Sequence, residues 1–128
     1  RMSGVRICKF EIKMGAKENL SNDFPIFRYA DVLLMKAEAR IRQGKNGDSY
    51  VKEIRDRAGL TDDVWTNVTL DMLLEERARE MFWEGHRRQD MIRFGKFNDA
   101  WWEKPANGPE WNTFPIPQWA IDANPNLE

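Results

Sequence analysis

The stretch from Thr69 to Gly95, TLDMLLEERAREMFWEGHRRQDMIRFG, restricts the fold of this chain more than any other. Leu70, Leu73, Leu74, Ala78, Met81 and Phe82 recur at three- and four-residue steps, the period of one apolar helical face. Thr69 is placed to cap that helix, because its hydroxyl can accept from an unbonded N–H of the first turn. Val68 and Leu73 stand at the spacing of a hydrophobic staple. Gly85 interrupts the helix, and a second short helix is expected from about Arg87 to Phe94, stopping at Gly95.

Charges are interleaved throughout this stretch. Arg77 and Glu84 fall on the apolar stripe, where an isolated charge cannot stay buried. Bases and acids meet at helical spacing: Arg77 with Glu80, Glu84 with Arg87 or Arg88, and Asp90 with Arg87 or Arg93. Two readings are open. Glu76, Glu80 and Glu84 share a helix face beside His86 and could form a carboxylate site. Alternatively, Glu76, Arg77, Glu80, Glu84, Arg87, Asp90 and Arg93 form a structural ion-pair lattice that locks helices together. A neighbouring cation lowers a carboxyl pKa, whereas a general acid needs it raised. The lattice is therefore preferred, and no catalytic residue is assigned.

Upstream, Pro25 suits the first turn of a helix. Ile26, Ala30, Leu33, Leu34, Ala37 and Ile41 form one apolar stripe, and Val32, Met35 and Ala39 form a second on another side. A helix apolar on two sides is expected to lie between layers. Gly44 ends it, Lys45-Asn46-Gly47 turns, and Asp48 is expected to cap a second helix carrying Tyr50, Val51, Ile54 and Ala58 inward. Gly59-Leu60 reads as a Schellman ending. This hairpin, residues 26–59, takes about 34 residues, the tetratricopeptide period, and residues 70–94 form a second hairpin. Two hairpins are fewer than such stacks usually need, so the chain reads as a single-domain fragment, 1–128, of a larger body.

The ends differ from this helical middle. Residues 4–13, GVRICKFEIK, alternate apolar and charged side chains and read as a short strand with a bulge near Cys8-Lys9. Residues 98–128 hold Pro105, Pro109, Pro115, Pro117 and Pro125, which exclude long helices. An irregular tail is expected, with a helical turn from about Pro117 to Asp122. The fold class is thus mainly α: tetratricopeptide-like hairpins, a short N-terminal strand and an irregular Pro/Trp-rich C-terminal tail.

Six tryptophans are the main raw material for ligand contact. An indole face can stack on a sugar ring, and Trp101-Trp102, beside Asn98, Asp99 and Lys104, are the speculative ligand-binding pair. The preferred reading makes these rings packing material. His86 is the sole histidine and Cys8 the sole cysteine, so an intrachain disulfide and the common structural zinc sets are excluded by count. His86 reads as structural. No metal or other cofactor is expected. Ser3, Ser21 and Ser49 lie in no nucleophile-elbow context, and no phosphate-cradling glycine loop appears. A net charge of -1 gives no pull toward nucleic acid or an anionic membrane.

Three segments, in order, resemble the SusD/RagB family. Glu76, Arg77, Glu80, Glu84, Gly85, Arg87, Asp90, Arg93, Gly95 and Lys96 match its E-R-x-x-E-x-x-x-E-G-x-R-x-x-D-x-x-R-x-G-K run. Phe24 to Gly44 resembles its R-x-A-E-x-x-L-x-x-A-E-A helix, with Asp31 where the family often has Glu. Phe114 to Leu127 resembles its F-P-I-P…N-P segment. The resemblance implies the C-terminal part of a lipid-anchored protein on the outer surface of a Bacteroidetes-type outer membrane, with the anchor in a part preceding this chain. It implies non-catalytic capture of a glycan or other nutrient oligomer and delivery to a SusC-like TonB-dependent transporter, this segment being mainly scaffold. Two alternatives stay open: a tetratricopeptide-type protein–protein scaffold, and a hydrolase using paired glutamates.

Overall fold

The computed structural model describes residues 9–18 and 22–127. The chain is mainly helical and divides between Arg87 and Arg88 into two compact units.

The first unit is built on α1 (Tyr29–Arg42), α2 (Asp48–Arg57) and α3 (Leu70–Glu80). Leu34 and Ala37 of α1, Val51 and Ile54 of α2, and Leu73 of α3 lose essentially all contact with water. Burying a Val, Leu or Ile side chain stabilises by about 1.5–3 kcal/mol, so these few positions hold the three helices together. α1 packs against both other helices. Asp31 in its first turn meets Arg77 near the end of α3, so α1 and α3 run antiparallel. Asp48 at the start of α2 meets the chain just before α3, and Arg57 at its end meets Glu80, so α2 and α3 run in the same direction.

Local sequence explains most element ends. Thr69 caps α3, its Oγ1 accepting from the Met72 N–H at 3.2 Å. Gly59 ends α2 in the left-handed region at φ 81°, donating to the Asp56 carbonyl, while Leu60 donates to Arg55. These two bonds make the Schellman motif. Gly47 serves close approach instead: a Cβ there would sit 3.0 Å from the Ala37 carbonyl oxygen and 3.1 Å from Ile41 Cγ1.

Three expectations need correction. The strand over 4–13 is not shown: Lys9 and Phe10 form a bend, residues 11–13 are irregular, and Gly4 to Cys8 lie outside the described residues. A strand requires a ladder partner, and among the described residues none pairs with 9–13; Lys9 is instead drawn to Glu80 and Glu84. α1 begins at Tyr29 rather than beside Pro25, because Arg28 is extended (φ -145°, ψ 160°) with its guanidinium tied to Glu80 and Glu84. Asp48 is the first residue of α2 and turns its carboxylate away from that helix, accepting from the Asn67 and Val68 N–H groups at 2.8 and 2.9 Å.

The second unit holds most of α4 (Arg87–Arg93), a 3-10 turn at Pro109–Asn112, α5 (Gln118–Ala123) and a 3-10 turn at Pro125–Leu127. α4 stops at Gly95, whose N–H donates to Ile92 while that of Lys96 donates to Met91. Among its described residues Asp90 alone is buried. The prolines keep the rest in turns and extended coil.

Candidate functional site

The charged signature lies partly in each unit. In the first, Glu84 follows α3 on a tight turn in which Trp83 adopts φ 65°. A left-handed backbone costs a residue with a Cβ about 1–2 kcal/mol, so this turn holds its shape against a local preference. It directs Glu84 inward, leaving the side chain 1% exposed. Arg28 Nε donates to Glu84 Oε2 at 2.6 Å, and the Lys9 ammonium sits against the other oxygen. Burial alone would push this carboxyl up; the hydrogen bonds and charges of Arg28 and Lys9 outweigh it and hold the pKa below the ordinary value. Burial likewise works against the charged Arg28, and Glu84 and Glu80 more than compensate, raising its pKa.

Glu80 is the second node. Arg57 Nη2 donates to both of its oxygens at 2.8 Å, and Arg28 Nη1 also reaches Oε1. The Glu80 backbone carbonyl accepts from Arg28 and from Lys9. Two cations therefore sit at the C-terminal end of α3, where the helix dipole favours them.

Glu76 and Arg77 complete this part. Arg55 Nη1 donates to Glu76 Oε2 at 2.8 Å with both side chains buried, and Arg79 joins the same oxygen at 3.0 Å. Arg77 Nη1 reaches Asp31 Oδ1 at 2.9 Å, again with both side chains buried. Arg87 donates to the Leu74 carbonyl at 3.2 Å. Glu76, Arg77, Glu80 and Glu84 thus bind across elements, whereas in the second unit Arg93 meets Asp90 at the expected three-residue spacing, 2.8 Å. For Glu84 the partners are Arg28 and Lys9, not the expected Arg87 or Arg88. A helical spacing reports only neighbours on one helix, so it misses partners that tertiary packing supplies.

Trp102 and Glu103 form a two-residue reversal closed by reciprocal hydrogen bonds between Trp101 and Lys104, 3.0 and 2.9 Å. Glu103 takes φ 62° to complete it. The Lys104 ammonium lies 4.1 Å from the centre of the Trp101 ring and donates to the carbonyls of Asp99 and Pro105 and to Asn107 Oδ1. Trp101 is therefore covered on one side by a cation. Trp102 projects from the same reversal and is 79% exposed.

His86 is half-buried, and among the described residues no group of three or more His, Cys, Asp or Glu side chains could hold a metal ion. Sequence reasoning missed Lys9, Arg28, Arg55 and Arg57, which supply the counter-charges in the first unit. It also missed Trp65, whose ring carries the Arg55 guanidinium at 4.0 Å and that of Arg79 at 5.2 Å. One signal was available: Arg28 and Asp31 stand at the R and E of the R-x-A-E motif, charges at the head of an otherwise apolar helix.

A family model decides what this constellation belongs to: that of the SusD family matches residues 1–111. The chain belongs to the SusD family. Starch-binding protein SusD of Bacteroides thetaiotaomicron is 41% identical over 114 residues, covering 82% of this chain and 20% of that protein. SusD-like protein P25 of Formosa agariphila is 30% identical over 139 aligned positions, covering 96% of this chain and 26% of the relative. SusD-like protein P38 of the same organism is 34% identical over 120, with shares of 80% and 23%. The chain thus spans between a fifth and about a quarter of the length of the curated relatives it matches. No helix among the described residues is long and apolar enough to cross a membrane.

Proposed function

We propose that this chain is the helical, C-terminal scaffold segment of a cell-surface nutrient-binding protein of the SusD family. That protein captures an oligosaccharide and passes it to a SusC-like TonB-dependent transporter, held at the outer membrane by a lipid on a part that precedes this segment. The reading includes no bond-making or bond-breaking step. One observation carries it most: Glu84, its side chain buried, is clamped by Arg28 and Lys9 with its pKa pushed down. A general acid needs the opposite shift, and Glu76 and Glu80 are likewise occupied by guanidinium groups. The name of the Bacteroides relative, a starch-binding protein, supports an oligosaccharide as the ligand class.

Within this segment the side chain best presented for stacking on a sugar ring is Trp102, 79% exposed. The scaffold role predicts that most recognition lies outside these residues. Calorimetric titration of the full-length polypeptide with a panel of α- and β-linked oligosaccharides tests the reading. Saturable heat is expected with at least one of them, and no turnover of any. Hydrolysis that disappears on Glu80→Gln or Glu84→Gln would replace the binding reading with an enzymatic one. A Trp101→Ala/Trp102→Ala variant that binds as tightly as the parent would remove the indoles from the site.

A further inference from the structure

The charges around the end of α3 do not cancel. A cavity of 480 Å³ opens there within the first unit, and its lining includes Lys9, Arg28, Arg57, Glu80 and Glu84 together with the ring of Phe82. Arg79 also reaches the lining, but Glu75 and Glu76, outside the cavity, answer its charge. The remaining three cations meet two carboxylates, which leaves one positive charge in excess. A lattice that only braced helices would need no such surplus.

The surplus has an address. Arg57, the last residue of α2, is 64% exposed and reaches Glu80 through Nη2 alone. Among the described residues its Nε and Nη1 groups have no partner, so donors of the guanidinium remain open toward the cavity. The Lys9 ammonium spends two of its three N–H groups on the Glu80 carbonyl and on Glu84. Apolar surface stands beside these donors. Phe82, 48% exposed, lines the cavity, and the Trp83 ring lies within 4° of parallel to it at a centre distance of 6.3 Å. Both rings sit on the turn that Trp83 completes in the left-handed region. Small-molecule sites combine these ingredients: about 300–1,000 Å³ of space, an aromatic wall and a few placed polar groups.

We propose that the cavity at the end of α3 binds a sugar residue bearing one negative charge, a carboxylate or a sulfate ester. The anionic group accepts from Arg57 and Lys9, and the C–H face of the ring lies on Phe82. Glu80 and Glu84 do not bar it, because each is already held by two cations. The single surplus charge suits such a group better than a phosphate monoester, which carries nearly two negative charges. A neutral sugar would leave the open Arg57 donors without an anionic partner, so the charged residue is preferred by about tenfold or more. The proposal rests on the reading of an oligosaccharide as the ligand class, and it adds a charged subsite within this segment.

Calorimetric titration of the full-length polypeptide with matched pairs of tetrasaccharides tests it. One pair is tetragalacturonate and its methyl ester; the other is a sulfated galactan tetramer and its desulfated form. In at least one pair the charged member is expected to bind about tenfold tighter or more, and the pair that shows it distinguishes carboxylate from sulfate. Arg57→Gln should remove most of that preference and Arg57→Lys should keep part of it. The fold should survive either change, because Arg57 is exposed and Arg28 still holds Glu80. Phe82→Ala should weaken the charged and neutral members by the same factor, since a ring contact does not sense the charge. Equal affinities within both pairs, a preference that survives Arg57→Gln, or undiminished binding by Phe82→Ala overturns the inference. Neutral tetrasaccharides bound as tightly as their charged counterparts refute only this subsite. Turnover of a bound oligosaccharide, with the Arg57-dependent preference intact, refutes only the non-catalytic reading.

Discussion

The two units bury their cations to different depths. In the first, Arg55 and Arg77 are buried and meet buried carboxylates, around a core of Leu34, Val51, Ile54 and Leu73. In the second, Arg88 lies 4.3 Å from the Phe114 ring centre and Lys104 lies on Trp101, with Phe114 and Trp101 both open to water. The second unit has four of the six tryptophans, yet none of its described apolar side chains is buried. Aromatic content therefore does not make a core. A core needs a second layer to press against, which α2 and α3 supply to α1, and which the proline-broken chain after Gly95 does not build for itself.

Breaking a buried pair should give the largest effect. Arg77→Met strands the Asp31 carboxylate and is expected to cost about 3–5 kcal/mol in urea unfolding, with Asp31→Leu added in the same chain recovering most of it. A cost below about 1 kcal/mol would mean that the pair behaves like a surface bridge. Leu34→Ala is expected to cost about 2–5 kcal/mol, against less than about 0.5 kcal/mol for Trp119→Ala. Similar costs for the two would erase the contrast between the units.

Acid separates the units further. The folded chain holds the Glu84 proton less readily than the unfolded chain, whose carboxyl has the ordinary value near 4.5. Its stabilisation is complete above that pH and is lost as pH falls through the lower folded value. Asp48 behaves in the same way below 3.8: burial would raise its pKa, but the Val68 and Asn67 N–H groups and the Asn46 side chain lower it. Both groups belong to the first unit. Stability measured from pH 6 toward pH 3, roughly the span of these titrations, should fall, and Glu84→Gln should flatten part of that slope. Next in size, Thr69→Ala is expected to cost about 1 kcal/mol through loss of the α3 cap. A change of similar or smaller size, about 0.5–1 kcal/mol, is expected for Lys104→Met, read as altered tryptophan fluorescence from the 101–104 reversal.

Features carried by neighbouring residues were legible in the sequence. Thr69, Gly59-Leu60, Gly95 and the apolar stripe through Leu73 all act within a turn or two of their own position. The partners of the signature charges were not, because Glu84 reaches back 56 residues to Arg28, and Arg77 reaches 46 to Asp31. Pro25 misled in the same way, since its local signal for a helix start yields to a tertiary tie through Arg28. The candidate pair Trp101-Trp102 was visible as composition. The lysine that caps one face of Trp101 while Trp102 stays uncapped was visible only in three dimensions.

The clamp at the end of α3 constrains how this segment can vary. Arg28 holds Glu80 and Glu84 together, one at the last residue of a helix and the other four positions on, past a turn that passes through a left-handed tryptophan. An added or deleted residue between them would shift the left-handed position of the turn onto another residue and draw Glu84 away from Arg28. The exposed pair Phe82-Trp83 between them should accordingly accept changes of letter more readily than changes of length.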